Sequence, residues 1–334
     1  MMGEVISITS PSLDQAKTIA RFIRNGRDRD CHIVGKVLPD EALPRVNKPF
    51  DMVEPVEWEN LAGAIPTGSR STSALLEQSD LHLGDVVMRR EMLRFYDKPW
   101  SLDLAAAAAV SVPTTWLDPL EDIRFPVFYK SREEGGGMRG LARTRDELPT
   151  LEGLIFQEYI PTPGTYGVGF LARQGELLLH HSHFEAESYP ELGGSAVVIE
   201  QIRDEKLLRH ARSIIALSDF DGWGLIEFKF CPSRDDFVFM ELNAKFWASI
   251  EFTFRNEPDF ARMLFGVEPF LQPCSRMVFM HRALRRGGSF VARSLPAYLK
   301  GSELNWGDGA WLAALPRALV PSFAVDTLRS LRRR

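Results

Sequence analysis

Polar side chains alternate with apolar ones along Phe237–Trp247, where Glu241, Asn243 and Lys245 occupy every second position of an aromatic-rich run. A period of two is typical of a β-strand, so we expect these three side chains to share one face while the intervening apolar residues face the other way. A carboxylate, an amide and an ammonium group on one face indicate a functional site.

The preceding run, Trp223–Phe230, also has the pattern of a strand, and Cys231–Asp236 between the two runs has the composition of a turn. A hairpin symmetric about Arg234 places Glu227 directly opposite Glu241. Facing carboxylates repel unless a cation lies between them, and Mg2+ prefers such oxygen ligands. The alternative that remains open is a surface hairpin with solvated acids in a shifted register.

A short apolar strand, Phe125–Lys130, ends in a lysine and leads into the glycine-rich stretch Ser131–Gly140. A lysine at a strand end can contact a phosphate, and a loop without side chains lets backbone N–H groups approach it closely. An ordinary flexible loop is the other interpretation, because the stretch matches neither a P-loop nor a dinucleotide fingerprint. The three adjacent glycines are Gly135, Gly136 and Gly137.

The next strand, Leu154–Ile160, breaks off at Pro161–Gly164. Such a strand end can offer its backbone N–H and C=O groups to a planar base, with Tyr159 and Ile160 as apolar packing. These features together predict a nucleotide site.

The first part of the chain has a βαβ pattern. Strands are predicted at Glu4–Ile8 and His32–Val37, with a helix between them that starts at Ser10-Pro11 and ends at Asn25-Gly26. A further strand is predicted at Leu61–Ile65. The first turn lacks a glycine triad, so we do not expect dinucleotide binding there.

Composition agrees with a soluble enzyme, and the three cysteines indicate reduced, structural thiols in a cytoplasmic protein. The 334 residues carry a net charge of −5 and are 45% hydrophobic, which allows two or three packed units and gives no reason to expect a nucleic-acid partner. Cys31, Cys231 and Cys274 match no metal or redox spacing. We expect neither a signal peptide nor a transmembrane segment.

Three histidines follow the predicted hairpin of Tyr166–Leu171 and Gly175–Leu179. Adjacent residues of a strand point to opposite faces, so only His181 and His183 can act together, without His180. A polar edge or a substrate contact is favoured over a zinc site.

In this order, the motifs resemble the ATP-grasp superfamily, particularly the stand-alone carboxylate–amine ligases related to the carbamoyl-phosphate synthase large subunit. The resemblance covers the central half to two-thirds of the chain. The matching segments are Asp97-Lys98 ahead of a helix at Leu102–Ala109, Val112–Trp116, Phe125–Lys130, Gly135–Gly137, Gln157–Ile160, Gly193–Ser195, Gly224–Phe228 and Met240–Trp247.

The resemblance implies that the chain binds ATP. Lys98 and Lys130 would contact the phosphates, and the glycines at 135–137 would lie in a mobile loop that covers them. The adenine hinge would consist of Gln157, Glu158, Tyr159 and Ile160.

The resemblance also implies a metal site and a catalytic lysine. Glu227, Glu241 and Asn243 would hold Mg2+, with Mn2+ as the alternative ion, and Lys245 would take the place usually filled by an arginine beside the transferred phosphoryl group. Lysine keeps the charge but loses the bidentate fork. Gly164–Tyr166 stands where an acidic residue often binds the ribose.

The implied fold class is α/β and α+β. A Rossmann-like domain at 1–94 would precede a two-subdomain ATP-grasp module at 95–284, with the glycine loop in a subdomain at about 117–160. An extension at 285–334 would cover the active site or mediate contacts in a homo-oligomer, and the sequence does not decide between these.

The implied function is an ATP-dependent ligase that activates a carboxylate as an acyl phosphate and couples it to an amine, an amino acid or small peptide, releasing ADP and phosphate. Two alternatives stay open. One is a small-molecule kinase on the same scaffold. The other is a nucleotide-binding module without turnover, which the lysine at position 245 and the missing ribose acid would favour.

Overall fold

The structure is a computed structural model. It describes residues 4–26, 31–41, 43–44, 49–57, 61, 63–117, 122–134, 137–150, 152–190, 193–287 and 289–293. Most of the predicted extension at 285–334, including the whole of 294–334, therefore lies outside the described residues.

A parallel three-stranded sheet opens the chain. Its strands β1 (Glu4–Thr9), β2 (Cys31–Val37) and β3 (Met52–Pro55) lie in the order β1-β2-β3, and helix α1 (Asp14–Gly26) connects the first two. The predicted βαβ opening is confirmed by this arrangement. The description of the segment as a Rossmann-like domain ending at residue 94 stays a prediction.

Two details of this segment differ from the prediction. Helix α1 begins at Asp14 because Ser10 takes a positive φ of 51° and starts a turn in which the Leu13 N–H donates to the Ser10 carbonyl at 3.0 Å. Among the described residues of the predicted strand Leu61–Ile65, a single parallel bridge forms, between Ile65 and Ile8. The third strand of the sheet is β3, which the prediction missed.

A mixed segment links this sheet to the rest of the chain. It contains helix α2 (Ser69–Leu76), the hairpin of β4 (Leu81–Leu83) and β5 (Val86–Met88), a 3-10 helix at Arg90–Tyr96, and helix α3 (Lys98–Ala107). Helix α3 starts at Lys98 itself, earlier than the predicted Leu102, with Pro99 in its first turn, where a proline costs no hydrogen bond.

A four-stranded antiparallel sheet follows. Its strands β6 (Thr115–Trp116), β7 (Val127–Ser131), β8 (Arg139–Ala142) and β9 (Leu154–Glu158) lie in the order β6-β9-β7-β8, with a 3-10 helix at Arg145–Glu147. Strands β7 and β9 agree with the predicted strands that end in Lys130 and in the hinge.

A six-stranded antiparallel sheet forms the largest layer, in the order β14-β13-β10-β11-β12-β15. Helix α4 contacts β10, β11 and β14 of this sheet, and the Asp204 side chain caps it by accepting from the Lys206 and Leu207 N–H groups at 2.9 and 3.0 Å. The remaining elements are β10 (Thr165–Arg173), β11 (Glu176–Tyr189), β12 (Ser195–Gln201), α4 (Glu205–Leu217), β13 (Gly222–Cys231), β14 (Asp236–Asn243), α5 (Ile250–Asn256), α6 (Asp259–Phe265), β15 (Arg276–Val278) and α7 (Met280–Arg286).

One apolar core joins the N-terminal sheet to the large sheet. The rings of Phe22 and Phe254 lie 4.9 Å apart, and the buried Arg21 side chain donates to Glu251 at 2.6 Å. Among the described residues, none of the helices has both the length and the apolar character needed to cross a membrane.

Candidate active site

The hairpin of β13 and β14 pairs Glu227 directly with Glu241, as predicted. The hairpin is not symmetric about Arg234, however, so the two acids pair for a different reason from the predicted one. At the hairpin end Cys231 pairs with Asp236, and this register alone would place Glu227 opposite Met240. An extra residue in β14, Met240, shifts the pairing by one and brings the two acids together.

This bulge also creates a binding partner for a lysine. A bulged residue leaves the regular ladder, and the Met240 carbonyl accepts a hydrogen bond from Lys130 Nζ at 3.0 Å. The same ammonium group lies 3.1 Å from Glu241 Oε2. Lys130, at the end of β7 in the four-stranded sheet, therefore connects that sheet to the acid pair on the six-stranded one.

Asn243 completes the predicted metal-binding set. Its Nδ2 donates to Glu227 Oε2 at 3.0 Å and lies 3.4 Å from Glu241 Oε1. Asn243 is buried and the Glu241 side chain is 24% exposed. The alternative of solvated acids in a shifted register is therefore wrong.

The two acids have opposite pKa shifts. Burial, followed by the charge of Glu241 and then that of Glu185, raises the pKa of Glu227 well above its usual value. Burial also acts to raise the pKa of Glu241, but the charges of Lys130 and Lys98 outweigh it and hold that pKa below its usual value. The pair thus holds one ionised carboxylate and one whose ionisation needs a further cation.

Glu227, Glu241 and Asn243 fit a magnesium ion by their chemistry. Mg2+ is usually held by one or two carboxylates together with phosphate oxygens and water, and the raised pKa of Glu227 shows that the local cations do not fully offset the second charge. Within the described ranges, no group of three or more His, Cys, Asp and Glu side chains is arranged to hold a metal ion by itself. A metal at the two acids would therefore take its further ligands from Asn243, water or a bound phosphate.

Lys245 lies beyond the end of β14, which stops at Asn243, so the prediction that it continues the strand is wrong. Its backbone N–H turns back to the Asn243 carbonyl at 2.9 Å. The Lys245 ammonium forms an ion pair with Glu134, whose Oε2 also lies 3.3 Å from Lys98 Nζ. Lys98 donates in addition to the Glu133 carbonyl at 2.9 Å.

Glu134 was not among the predicted site residues. It follows β7 in the glycine-rich stretch, where acidic residues carry no periodic signal, and its role depends on two lysines far away in sequence. In the adjoining loop, Gly135 and Gly136 lie outside the described residues. A Cβ at Gly137 would lie 1.8 Å from Ser131 Oγ, so this position has no room for a side chain.

The predicted hinge lies beside β14. Ile160 shares a buried apolar cluster with Val238, and Met240 packs against that cluster. The Gln157 side chain is buried and donates to Thr115 Oγ1 at 3.2 Å. Glu158 accepts from the Thr114 N–H at 3.2 Å and also pairs with Arg234.

The Glu158 carboxylate and the Gln157 Nε2 are thus engaged with protein, whereas the buried Gln157 Oε1 has no hydrogen-bond partner among the described residues. Tyr159 is half-buried next to them. The role predicted for this strand end, to bind a base through its backbone groups, stays a prediction. The structure therefore brings Lys98, Lys130, Lys245, the hinge and the acid pair to the region where the two sheets meet.

The predicted separation of the histidines is confirmed. His181 and His183 lie on the face of the large sheet that carries Glu227, because His183 and Glu227 both pair with Gly167 of the intervening strand β10. Nothing among the described residues completes a zinc site with the two rings.

Comparison with known proteins gives matches only at the level of structure. No family model matches the sequence, and no curated protein matches it. An ADP complex of purK, an N5-carboxyaminoimidazole ribonucleotide synthetase, superposes with a TM-score of 0.60 at 12% identity, covering 89% of this chain and 86% of that one.

Two further structures have a similar fold. The biotin carboxylase domain of Hydrogenobacter thermophilus 2-oxoglutarate carboxylase, in complex with MgADP and bicarbonate, has a TM-score of 0.57 at 14% identity, with 82% of this chain and 72% of that one covered. An L-amino acid ligase from Bacillus licheniformis has a TM-score of 0.54 at 14% identity, with 75% and 69% covered.

The chain spans only 27% of the length of a Rhizobium etli pyruvate carboxylase that it also matches, at a TM-score of 0.56 and 14% identity. These proteins are all ATP-grasp proteins. The mixed α/β architecture of the chain is therefore the ATP-grasp fold.

Proposed function

We propose that the chain is an ATP-dependent ligase that activates a small-molecule carboxylate as an acyl phosphate and joins it to an amine. The observation that carries the proposal is the arrangement of Glu227, Glu241 and Asn243 beside the Lys130 ammonium. Two further lysines, Lys98 and Lys245, converge on Glu134.

The chemistry consists of two displacements. A carboxylate oxygen of the substrate attacks the γ-phosphorus of ATP, the bond to the β-phosphate oxygen breaks, and ADP leaves. The amine nitrogen then attacks the carbonyl carbon of the acyl phosphate, the C–O bond to phosphate breaks, and the amine loses a proton as the amide forms. Neither step needs a nucleophilic side chain, so positioning and charge neutralisation are the tasks left to the protein.

The residues of this chain suit those tasks. Lys130 and Lys98 would neutralise the triphosphate. Lys245 would contact the transferred phosphoryl group once its ion pair with Glu134 has broken. Backbone groups of Gln157–Ile160 would bind the adenine ring. Mg2+ held by the two glutamates and Asn243 would supply further neutralisation of phosphate charge.

The structural neighbours support this proposal. The purK structure contains ADP, the biotin carboxylase domain contains MgADP, and the Bacillus licheniformis protein is an L-amino acid ligase. An amino acid or small peptide is accordingly the substrate class that we propose for this chain.

The test is to incubate the purified chain with ATP, Mg2+ and an amino-acid library. Equal release of ADP and phosphate together with a new amide supports the ligase. ADP with a phosphorylated product would instead indicate a kinase, and nucleotide binding without ADP would indicate a module without turnover.

A variant links any turnover to the proposed site. Glu241→Gln removes the ionised member of the acid pair, so we expect loss of magnesium-dependent turnover with an unchanged circular dichroism spectrum. Glu176→Gln, an exposed position at the start of β11, is the matched control and should retain turnover. Near-normal activity of Glu241→Gln would remove this residue from the site.

A further inference from the structure

A row of directly paired residues crosses five strands of the large sheet next to the acid pair. It runs Glu241, Glu227, Gly167, His183 and Gln201, from β14 to β12. Directly paired residues of antiparallel strands point to the same face. His183 is thus two strands away from Glu227 on the same face, and the residue between them, Gly167, has no side chain.

Two glycines of β10 make room for aromatic rings on this face. A Cβ at Gly167 would lie 2.5 Å from His183 Nε2, and a Cβ at Gly169 would lie 2.4 Å from Trp247 Cζ2. Both rings therefore lie directly over the backbone of β10. The glycines hold the His183 ring beside the acid pair, where a larger residue would displace it.

The polar atoms of these rings lack partners. His183 is 1% exposed, and neither of its ring nitrogens forms a hydrogen bond within the described part of the chain. The same holds for His181 Nε2 and Trp247 Nε1. A buried polar group without a hydrogen-bond partner costs about 1–3 kcal/mol of stability. Several such groups close together therefore indicate that a ligand binds there and supplies the missing partners.

The nearest charged group to His183 is Glu185, whose Oε1 lies 4.0 Å from His183 Nε2. The Glu185 side chain is 14% exposed, so a solute can reach its carboxylate. No hydrogen bond to this carboxylate is formed by the described residues. Burial raises the pKa of Glu185 to about 7 against the charges of Arg282 and Lys229.

Those two cations are committed to other partners. Lys229 Nζ donates to the Thr162 carbonyl at 2.9 Å. The Arg282 guanidinium donates to the Ala196 carbonyl at 2.6 Å and also pairs with Asp14. Glu185 thus offers an accessible carboxylate without a bound cation, beside a histidine with an unused acceptor.

We propose that Glu185 and His183 form the subsite that binds the ammonium group of the amine substrate. An ammonium group has three donors, which suit a carboxylate and the acceptor nitrogen of a neutral imidazole. Burial lowers the pKa of His183 to about 4, so the imidazole is neutral near pH 7 and does not repel a cation. The inference rests on the proposed function, since it names the amine class that the ligase would use.

The position of the subsite suits its role. Glu227 lies two strands from His183 along the same row, which brings an amine held by Glu185 and His183 towards a carboxylate activated at the metal edge. The bound ammonium group would first pass one proton to the Glu185 carboxylate, which leaves the neutral amine that attacks. Glu185 is also near enough for its charge to raise the pKa of Glu227. Substrates with a free primary amine are therefore selected over those whose amine is blocked.

The test uses a panel of L-amino-acid amides, which can act only as amines, and the N-acetyl derivative of each. Each compound is titrated by calorimetry into the full chain, with and without Mg2+ and a nonhydrolysable ATP analogue. We expect the amides to bind and the acetylated compounds not to bind. Glu185→Gln should weaken amide binding at least about tenfold, as expected for loss of a charge-assisted hydrogen bond.

The matched control is Glu200→Gln. Glu200 lies on β12 and pairs with Phe184, so it points to the opposite face, and it should retain wild-type affinity for the amides. If Glu185→Gln does not fold, Glu185→Asp retains the charge but shortens the side chain and should show a smaller loss. Equal amide affinity in the wild type and the Glu185 variant, or no amide binding by the wild type, would overturn the subsite.

Binding of the ATP analogue tests the proposed function, and binding of the amides tests the subsite. Failure of the wild type to bind the ATP analogue would overturn the proposed function, whereas the amide titration without nucleotide still decides the subsite.

Discussion

Lys245 forms an ion pair with Glu134, a residue of the glycine-rich stretch. The same carboxylate lies 3.3 Å from Lys98 Nζ. Both lysines are proposed to contact the triphosphate of ATP. In the structure the Glu134 carboxylate neutralises their positive charges instead. Nucleotide binding would have to displace it.

This relationship predicts that Glu134→Gln binds nucleotide more tightly. Removing the competing negative charge leaves two lysines without their ion pair, and we expect affinity for a nonhydrolysable ATP analogue to rise about tenfold, equivalent to about 1.4 kcal/mol. Calorimetry in the presence of Mg2+ measures this. Glu133→Gln is the control, because Glu133 contacts Lys98 through its backbone carbonyl. Weaker binding by Glu134→Gln would show that the carboxylate supports the nucleotide site.

Lys130→Ala should weaken nucleotide binding. The ammonium group connects β7 to the acid pair, and a hydrogen bond to a charged group contributes about 1.5–3 kcal/mol, so we expect a loss of about tenfold or more. Lys206→Ala removes a lysine that pairs with Asp236 at 3.6 Å and serves as the control in the same calorimetric titration. Unchanged affinity of Lys130→Ala would exclude Lys130 from phosphate binding.

Gly169→Ala should destabilise the chain. The new methyl group would lie 2.4 Å from Trp247, a buried side chain that cannot move aside freely, and overpacking of this kind costs about 1–3 kcal/mol. Urea unfolding measures the free energy. Gly68→Ala is the control, since its nearest neighbour would be Leu13 Cδ1 at 3.1 Å, and it should cost less. Equal costs would mean that the large sheet can shift to admit the methyl group.

His183 should make stability depend on pH in the acid range. Burial lowers the pKa of His183 to about 4, whereas the unfolded chain has the ordinary value near 6.5. Between these values the unfolded state binds more protons, so the stability contributed by neutral His183 is present above about pH 6.5 and is lost as pH falls towards 4. The free energy of unfolding thus loses up to about 1.4 kcal/mol per pH unit from this group.

The raised pKa values of Glu185 and Glu227 act in the opposite sense over part of the same range. The measurement is therefore the difference in unfolding free energy between the wild type and His183→Gln, followed from pH 7 to pH 4.5. We expect the deficit of the variant to shrink as pH falls. His32→Gln, at a half-exposed position, is the control. A deficit independent of pH would show that the pKa of His183 is the same in the folded and the unfolded chain.

Local pattern was sufficient for much of the site because strands repeat every two residues. The alternation at Glu241 and Asn243 and the turn at Cys231–Asp236 predicted both the hairpin and its acid pair. The bulge at Met240 was not predictable, because an extra apolar residue in a strand looks like any other residue of an apolar run. The correct pair followed from a symmetric hairpin that the chain does not form.

The contacts between residues far apart in sequence could not be predicted, for a different reason. Glu134 approaches Lys245 across 111 residues of sequence, and His183 faces Glu227 across Gly167 of strand β10. Such contacts arise from the order of strands in the sheet, which short-range periodicity does not encode. Strand β3 was missed because Met52–Pro55 is short and shows no regular alternation.

The bulge at Met240 has a consequence for how this hairpin tolerates change in length. Residues inserted at the tip, between Cys231 and Asp236, leave the strand pairing intact. A residue gained between Phe239 and Glu241 would instead move the carboxylate out of register with Glu227, whereas loss of Met240 would remove the bulge and leave the two acids paired. Alignments of this hairpin should therefore show gaps at its tip and no further insertion just before the acid.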